Sequence, residues 1–226
     1  MSVTSQAILV ISPHPDDESL GCGGTIKLLT ESGVRVDVLY LTSGELGCES
    51  PESADPAAKA RLSKVRAEEA REACRVLGVQ EVDFLDGTDG QLGDQPHLAD
   101  DLLARMSSVS YSRVFCPWPH EKHPDHAAAF RWLRQALMQI KSPLQVWLYE
   151  VWTPLRPNTC VPIDTTIEAK AEAIRAHRSQ LACLDYLSAF RGLASYRSLS
   201  CAGSRYAEAF IAGDRESIVG PMWNGV

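Results

Sequence analysis

The stretch Ile8-Leu9-Val10-Ile11-Ser12-Pro13-His14-Pro15-Asp16-Asp17-Glu18 decides the reading of the 226-residue chain. Its first four residues form an uninterrupted apolar run, which reads as a strand buried on both faces inside a parallel sheet. Open α/β sheets bind ligands at the carboxyl ends of their strands, and here that end is crowded with imidazole and carboxylate. Pro15 biases His14 toward extended backbone, so the chain turns there. One helical turn beyond it would point His14 and Asp17 the same way and Asp16 elsewhere. One histidine and one aspartate make two thirds of a catalytic zinc site, which usually takes three protein ligands and leaves a position open for water.

The third ligand is predicted in His123-Pro124-Asp125-His126, which follows a second apolar run, Val114-Phe115-Cys116-Pro117-Trp118. Its two histidines are again three apart, and Pro124 suits the first position of a helix. A lone His-Pro pair reads more simply as a turn carrying a surface histidine. Two such quartets, each just past a predicted strand and each with acid beside imidazole, point to a shared metal.

Around these knots the chain alternates strand and helix: a helix over 21–31, a strand over 34–42, a helix over 59–77, strands over 81–86, 113–118 and 144–153, and a helix over 97–107. This order predicts one α/β domain over 1–226, a Rossmann-like three-layer fold with a mostly parallel sheet. A dinucleotide site is disfavoured. Gly21-Cys22-Gly23-Gly24 places Ile26 where G-x-G-x-x-G needs its last glycine, and the carboxylates before it would repel a pyrophosphate.

Arg66 and Glu69 fall on the apolar face of the 59–77 helix with Leu62, Val65, Ala73, Val76 and Leu77. Lys64, Glu68, Arg71 and Arg75 fall on the other side. A charged pair among core positions must meet its counterpart or a polar cavity. Glu69 is therefore expected to hold Arg66 toward substrate, with a purely structural ion pair as the plainer reading. The 43–58 loop is expected either to shape the pocket or to be a surface loop. His97 reads as a surface residue, and His177, on a helix expected to run from a Thr165-Thr166-Ile167-Glu168 capping box to about Tyr186, as a hydrogen-bonded core histidine. A short strand over 161–164 and a final element over 206–212 complete the pattern. Glu150 faces either the pocket or a strand edge.

A net charge of −7 argues against nucleic acid as a partner. The first six residues carry no basic residue, and the following apolar run is too short for a signal peptide or membrane span, which predicts a cytoplasmic protein. Seven scattered cysteines, with no C-x-x-C, suit reduced thiols better than disulfides or a sulfur-ligated metal.

The two quartets resemble the LmbE/PIG-L family of zinc-dependent de-N-acetylases acting on N-acetylglucosamine-type sugars. The likeness extends to Arg66-Ala67-Glu68-Glu69, Leu77-Gly78, Gly21, Gly23 and Gly24, and more loosely to Trp152 and Ser179-Gln180. The resemblance implies His14, Asp17 and His126 as Zn²⁺ ligands, Asp16 as general base and His123 as oxyanion stabiliser. It further implies Asp125 as the residue orienting an imidazole and Arg66 as a substrate contact. Spacing alone distinguishes neither Asp16 from Asp17 nor His123 from His126. The implied substrate is a small N-acetyl amino sugar conjugate of open aglycone, and a homo-oligomer is a further expectation from the same resemblance. Two histidines and an aspartate also suit Fe²⁺. Another amide, ester or phosphate substrate, or a catalytically silent metal-stabilised binding protein, are the competing readings.

Overall fold

A computed structural model describes residues 7–48 and 55–223. The first six residues and positions 49–54 of the 43–58 loop therefore lie outside the described residues. The chain order is β1 (Ala7–Ser12), α1 (Asp17–Glu31), β2 (Arg35–Thr42), α2 (Pro56–Leu77), β3 (Glu81–Gly87), α3 (Leu98–Ser108), β4 (Tyr111–Pro117), α4 (Pro124–Gln139) and β5 (Gln145–Tyr149). Then follow β6 (Thr159–Pro162), α5 (Ile167–Ala176), α6 (Arg178–Leu181), α7 (Tyr186–Arg197), β7 (Ala207–Asp214) and α8 (Arg215–Val219).

The strands form one seven-stranded sheet ordered β3-β2-β1-β4-β5-β7-β6. β3, β2, β1, β4 and β5 are mutually parallel, and β7 runs antiparallel to both β5 and β6. The chain builds outward from β1 through β2 to β3, then crosses back to lay β4 on the other side of β1. That reversal is a topological switch point, where the loops leaving two adjacent strands diverge and open a crevice. The two quartets are the loops after β1 and β4, so strand order alone makes them neighbours.

Alternating residues of each strand feed opposite faces, as a pleated sheet requires. Leu9, Ile11, Leu39, Leu41, Val114 and Leu148 pack with α3 and α4 through Leu102, Phe130 and Leu133. Ile8, Val10, Val36, Val38, Tyr40 and Phe115 pack with α1, α2 and α5 through Ile26, Ala73, Leu77 and Ala173. The three-layer α/β expectation holds, and both faces of β1 are buried along its whole length. Each such aliphatic side chain contributes roughly 1.5–3 kcal/mol on leaving water.

Several expectations are corrected. α1 begins at Asp17 rather than Gly21, because the aspartates themselves form its first turn, where Asp17 and Glu18 suit the positive end of the helix. β5 stops at Tyr149 because the next backbone N–H groups, those of Val151, Trp152 and Thr153, donate to the Glu121 carboxylate instead of to a neighbouring strand. The helix expected over 165–186 breaks at His177 into α5 and α6. Ser179 donates both its N–H and its hydroxyl to Glu69, at 2.9 and 2.7 Å, and the axis turns to make those bonds. Thr166, not Thr165, precedes α5, and its hydroxyl donates to the Gly24 carbonyl rather than capping its own helix. On α2, Val65 is exposed rather than part of the core face.

The reduced-thiol expectation fails at two cysteines. Cys48, in the loop after β2, is disulfide-bonded to Cys183, with Cα atoms 6.5 Å apart across 135 residues of sequence. Nothing in the spacing announces that pairing, because the fold creates the proximity. Cys22, Cys74 and Cys116 are free and buried, as core thiols should be.

Candidate metal centre

The loops after β1 and β4 converge on one polar cluster. His14, His123 and His126 place their rings around a common centre, with ring centroids 4.5 Å apart for His14–His123, 5.4 Å for His14–His126 and 5.3 Å for His123–His126. Asp17 lies between two of them: its Oδ2 is 3.3 Å from His14 Nδ1 and 3.3 Å from His126 Nε2. Adjacent ligands on a tetrahedral zinc, with bonds of about 2.0–2.1 Å, stand roughly 3.3 Å from each other. His126 is fully buried, yet neither ring nitrogen has a hydrogen-bond partner. Buried polar atoms are almost always satisfied, so an orphaned imidazole facing a carboxylate fits a cation. The donor set of two imidazoles and a carboxylate is the chemistry such an ion takes.

Each imidazole is oriented by a different device. His14 Nε2 lies 3.1 Å from Asp89 and 3.1 Å from Asp125, so one ring proton belongs there, and Nδ1, facing Asp17, is the nitrogen that would exchange its proton for a metal. Asp125 is itself held by the backbone N–H groups of Gly90 and Leu92, at 2.7 and 3.0 Å. Burial disfavours a charged His14, but Asp125, Asp17 and Asp89 outweigh it and push its pKa well above the usual histidine value. Burial would raise Asp17 too, yet His126 and His14 hold it well below the ordinary carboxylate range. His123 caps α4: its Nδ1 accepts the Asp125 N–H at 3.2 Å, which assigns the ring proton to Nε2. Burial, aided by the neighbouring His14 and His126, lowers its pKa to about 4 and keeps it neutral.

Asp16 stands off this group. It is the N-cap of α1 and adopts φ 151°, a non-glycine residue in a sparsely populated backbone region. Burial raises its carboxyl to about 6, against the opposing charge of Arg66. Arg66, 3% exposed, reaches Asp16 Oδ2 at 3.2 Å and donates to the carbonyls of Pro15 and Gly44, at 2.7 and 3.0 Å. Gly44, at φ +64°, must be glycine, since a Cβ there would lie 2.5 Å from the guanidinium.

The six ionisable residues of the two quartets, together with Arg66, thus gather in one place. The expected partnership of Arg66 with Glu69 is corrected: Arg66 pairs with Asp16, while Glu69 binds Ser179. Helical periodicity says which face a residue occupies, not which neighbour its long side chain selects. Asp89 and Glu121 were not foreseen. Asp89 sits in a Gly-Asp-rich turn where acid is ordinary turn chemistry, and Glu121 comes within 4.0 Å of His126 Nδ1 while gathering three backbone N–H groups. A carboxylate two residues before His123 is the signal that could have drawn attention to Glu121. His97 is exposed, and His177 is buried with Nε2 3.4 Å from Ser19 Oγ and 3.4 Å from Glu18, as a core histidine. Glu150 faces neither the site nor an edge: it forms a buried pair with Arg197.

A cavity of about 70 Å³ opens onto the cluster, walled by His14, Asp16, Arg66, His123, Trp152 and Tyr186 among others. Among the described residues, no helix is long and apolar enough to cross a membrane.

Residues 9–137 match the family described as PIG-L: GlcNAc-PI de-N-acetylase. A diacetylchitobiose deacetylase of Thermococcus kodakarensis is 32% identical over 189 residues, 76% of this chain and 69% of that one. A probable N-acetyl-alpha-D-glucosaminyl L-malate deacetylase 2 of Bacillus cereus is 31% identical over 183 residues, 76% of this chain and 83% of its own. A 4-oxalmesaconate hydratase of Pseudomonas putida is 29% identical, spanning 92% of this chain and 89% of that one. Among solved structures, the N,N'-diacetylchitobiose deacetylase from Pyrococcus horikoshii superposes with a TM-score of 0.81 at 28% identity, covering 93% of this chain and 84% of that one. The matched span holds both quartets and the helix carrying Arg66, and on that footing the chain belongs to the PIG-L/LmbE family of amidohydrolases.

Proposed function

We propose that this enzyme removes the N-acetyl group from an N-acetylglucosamine-type sugar conjugate, releasing acetate and a free amine, with zinc held by His14 Nδ1, Asp17 Oδ2 and His126 Nε2. The observation that carries the reading is the buried, unbonded His126 Nε2 standing 3.3 Å from Asp17, which in turn stands 3.3 Å from His14 Nδ1. When bound, zinc supplies Lewis acidity toward the acetyl carbonyl and toward water.

The remaining work falls to the chain. An amide resists hydrolysis because its carbonyl is a poor electrophile and its nitrogen a poor leaving group. Asp16 takes the proton of the attacking water and returns it to the departing amine. Its burial favours this role by lifting its basicity toward neutrality, and Arg66 keeps it oriented. His123, neutral and with its proton on Nε2, offers a donor to the oxygen that gains charge as the carbonyl is attacked. Asp125 and Asp89 hold the His14 ring so that Nδ1 faces inward. Arg66, on the cavity wall, places a cationic edge beside the acyl group as well as fixing Asp16.

A panel of N-acetylglucosamine conjugates, assayed for released acetate with zinc added and with zinc chelated, tests the proposal. Zinc-dependent acetate release is expected, and a zinc-loaded protein inert toward every member overturns it. Metal content after aerobic and anaerobic preparation separates Zn²⁺ from Fe²⁺. The hydratase relative makes water addition a second reading, and a 4-oxalmesaconate arm in the same panel discriminates it.

A further inference from the structure

The mouth of the cavity differs in character from its floor. Trp152 and Tyr186 form one wall, with ring centroids 5.7 Å apart and planes inclined at 58°. Trp152 is 42% exposed although it is large and apolar, whereas Tyr186 is 8% exposed and backs it. An open indole beside a polar cleft is a surface waiting for an apolar face. It is also fixed in place. The backbone N–H groups of Trp152 and its two neighbours all donate to Glu121, and Thr153 accepts from the Trp118 indole at 2.8 Å through its carbonyl and from the Lys122 N–H at 2.9 Å through its hydroxyl. Across the cleft, Gly47 and Gln180 belong to two segments stapled together by the Cys48–Cys183 bridge.

Charge sharpens the picture. Among the described residues walling the cavity, Arg66 is the one lysine or arginine, and its guanidinium is engaged with Asp16 and two carbonyls. The described parts of the 43–58 loop carry Glu45 and Asp55 and no lysine or arginine. A carboxylate or phosphate on the substrate would be desolvated there with the wall's one cation already committed to Asp16, and with Asp16 and Asp89 nearby. A pyranose presents an apolar C–H face on one side and hydroxyls at its rim, which suits an aromatic wall and an uncharged opposite edge.

We infer that Trp152, backed by Tyr186, is the platform on which the acetamide-bearing pyranose lies, and that the mouth selects conjugates whose aglycone is uncharged, such as a second sugar, over those carrying a carboxylate or phosphate. This rests on the deacetylase reading and specifies its substrate class. The cavity is small enough to take the acetamide and leave the ring outside against the indole.

The test compares N,N'-diacetylchitobiose with an N-acetylglucosaminyl malate and with acyclic N-acetylethanolamine. For the wild-type enzyme, kcat/KM is expected to be at least about tenfold higher for the disaccharide than for the malate conjugate, the scale of an uncompensated charge at a partly desolvated site. Equal or reversed preference overturns the charge selection. Trp152→Ala should raise KM for the disaccharide about tenfold with kcat little changed, and should erode its advantage over N-acetylethanolamine by the same factor, while Trp152→Phe restores most of the loss. An unaltered KM in Trp152→Ala overturns the platform. Calorimetric titration with the disaccharide, which needs no indole reporter, separates binding from turnover. Binding that weakens in Trp152→Ala and is largely kept in Trp152→Phe, without acetate release from any substrate, sinks the deacetylase reading and leaves the platform standing. Acetate release with Trp152-independent binding does the reverse.

Discussion

The buried charge clusters at Glu150–Arg197 and at His14–Asp17–His126 are built on opposite plans. At Glu150–Arg197 every contact is reciprocated: the guanidinium donates to both carboxylate oxygens and to the Leu155 carbonyl, and Glu150 also accepts the Leu155 N–H. Lys170–Glu208 is similar, with Glu208 receiving the Gly24 and Thr25 N–H groups at the kinked α1 while Lys170 donates to the Leu20 carbonyl. At His14–Asp17–His126 the outward nitrogen of His14 is matched by carboxylates, but His126 is left bare and the inward atoms face one another at contact distance. A closed cluster holds elements together and has no further valence. An open one is buried at a cost that only a ligand offsets. Burial and charge alone do not tell the two apart; unmet hydrogen-bonding capacity does.

That distinction can be broken by experiment. Asp17→Ala has the largest expected effect: metal content drops to background and turnover is lost, while the far-ultraviolet circular dichroism spectrum stays native. Retained zinc together with activity would place the ion elsewhere. Arg197→Ala strands a buried carboxylate and should cost about 3–5 kcal/mol of stability in denaturant titration, with zinc per folded molecule unchanged. A stable Arg197→Ala protein that has lost its metal would dissolve the contrast. Asp16→Asn should keep zinc at full stoichiometry and lower kcat by about 10²–10⁴-fold, the range for removing a general base. Asp125→Ala, which frees the outer nitrogen of His14 from one of two partners, should weaken zinc about 10–100-fold by competition with a chelator. Because Asp89 shares that nitrogen, the loss belongs at the lower end, and Asp89→Ala combined with Asp125→Ala should exceed either alone.

The part of the site written in contiguous residues was legible. An apolar run ending in His14-Pro15-Asp16-Asp17 carries its strand, its turn and its ligands in one window, and the second quartet repeats that grammar after β4. Their meeting followed from parallel β-α-β order. What escaped were features decided by tertiary geometry. Arg66 lies on the predicted face of α2 but pairs with Asp16 across the fold, and Glu69 spends its carboxylate breaking a helix at His177 that its own sequence favours. Asp89 enters through a turn whose composition explains itself without a site. β7 slots antiparallel between β5 and β6, a placement that no local pattern near residues 207–214 encodes.

The backbone of Asp16 has a practical bearing on how its chemistry can be interrogated. At φ 151° this residue occupies territory that L-amino acids with bulky or branched side chains avoid. Replacing it with valine or leucine would misfold the bend and report on shape rather than proton transfer. Asparagine keeps the same skeleton and still offers Arg66 an oxygen to bond, so it leaves the bend in place while removing the carboxylate's charge and its ability to take a proton.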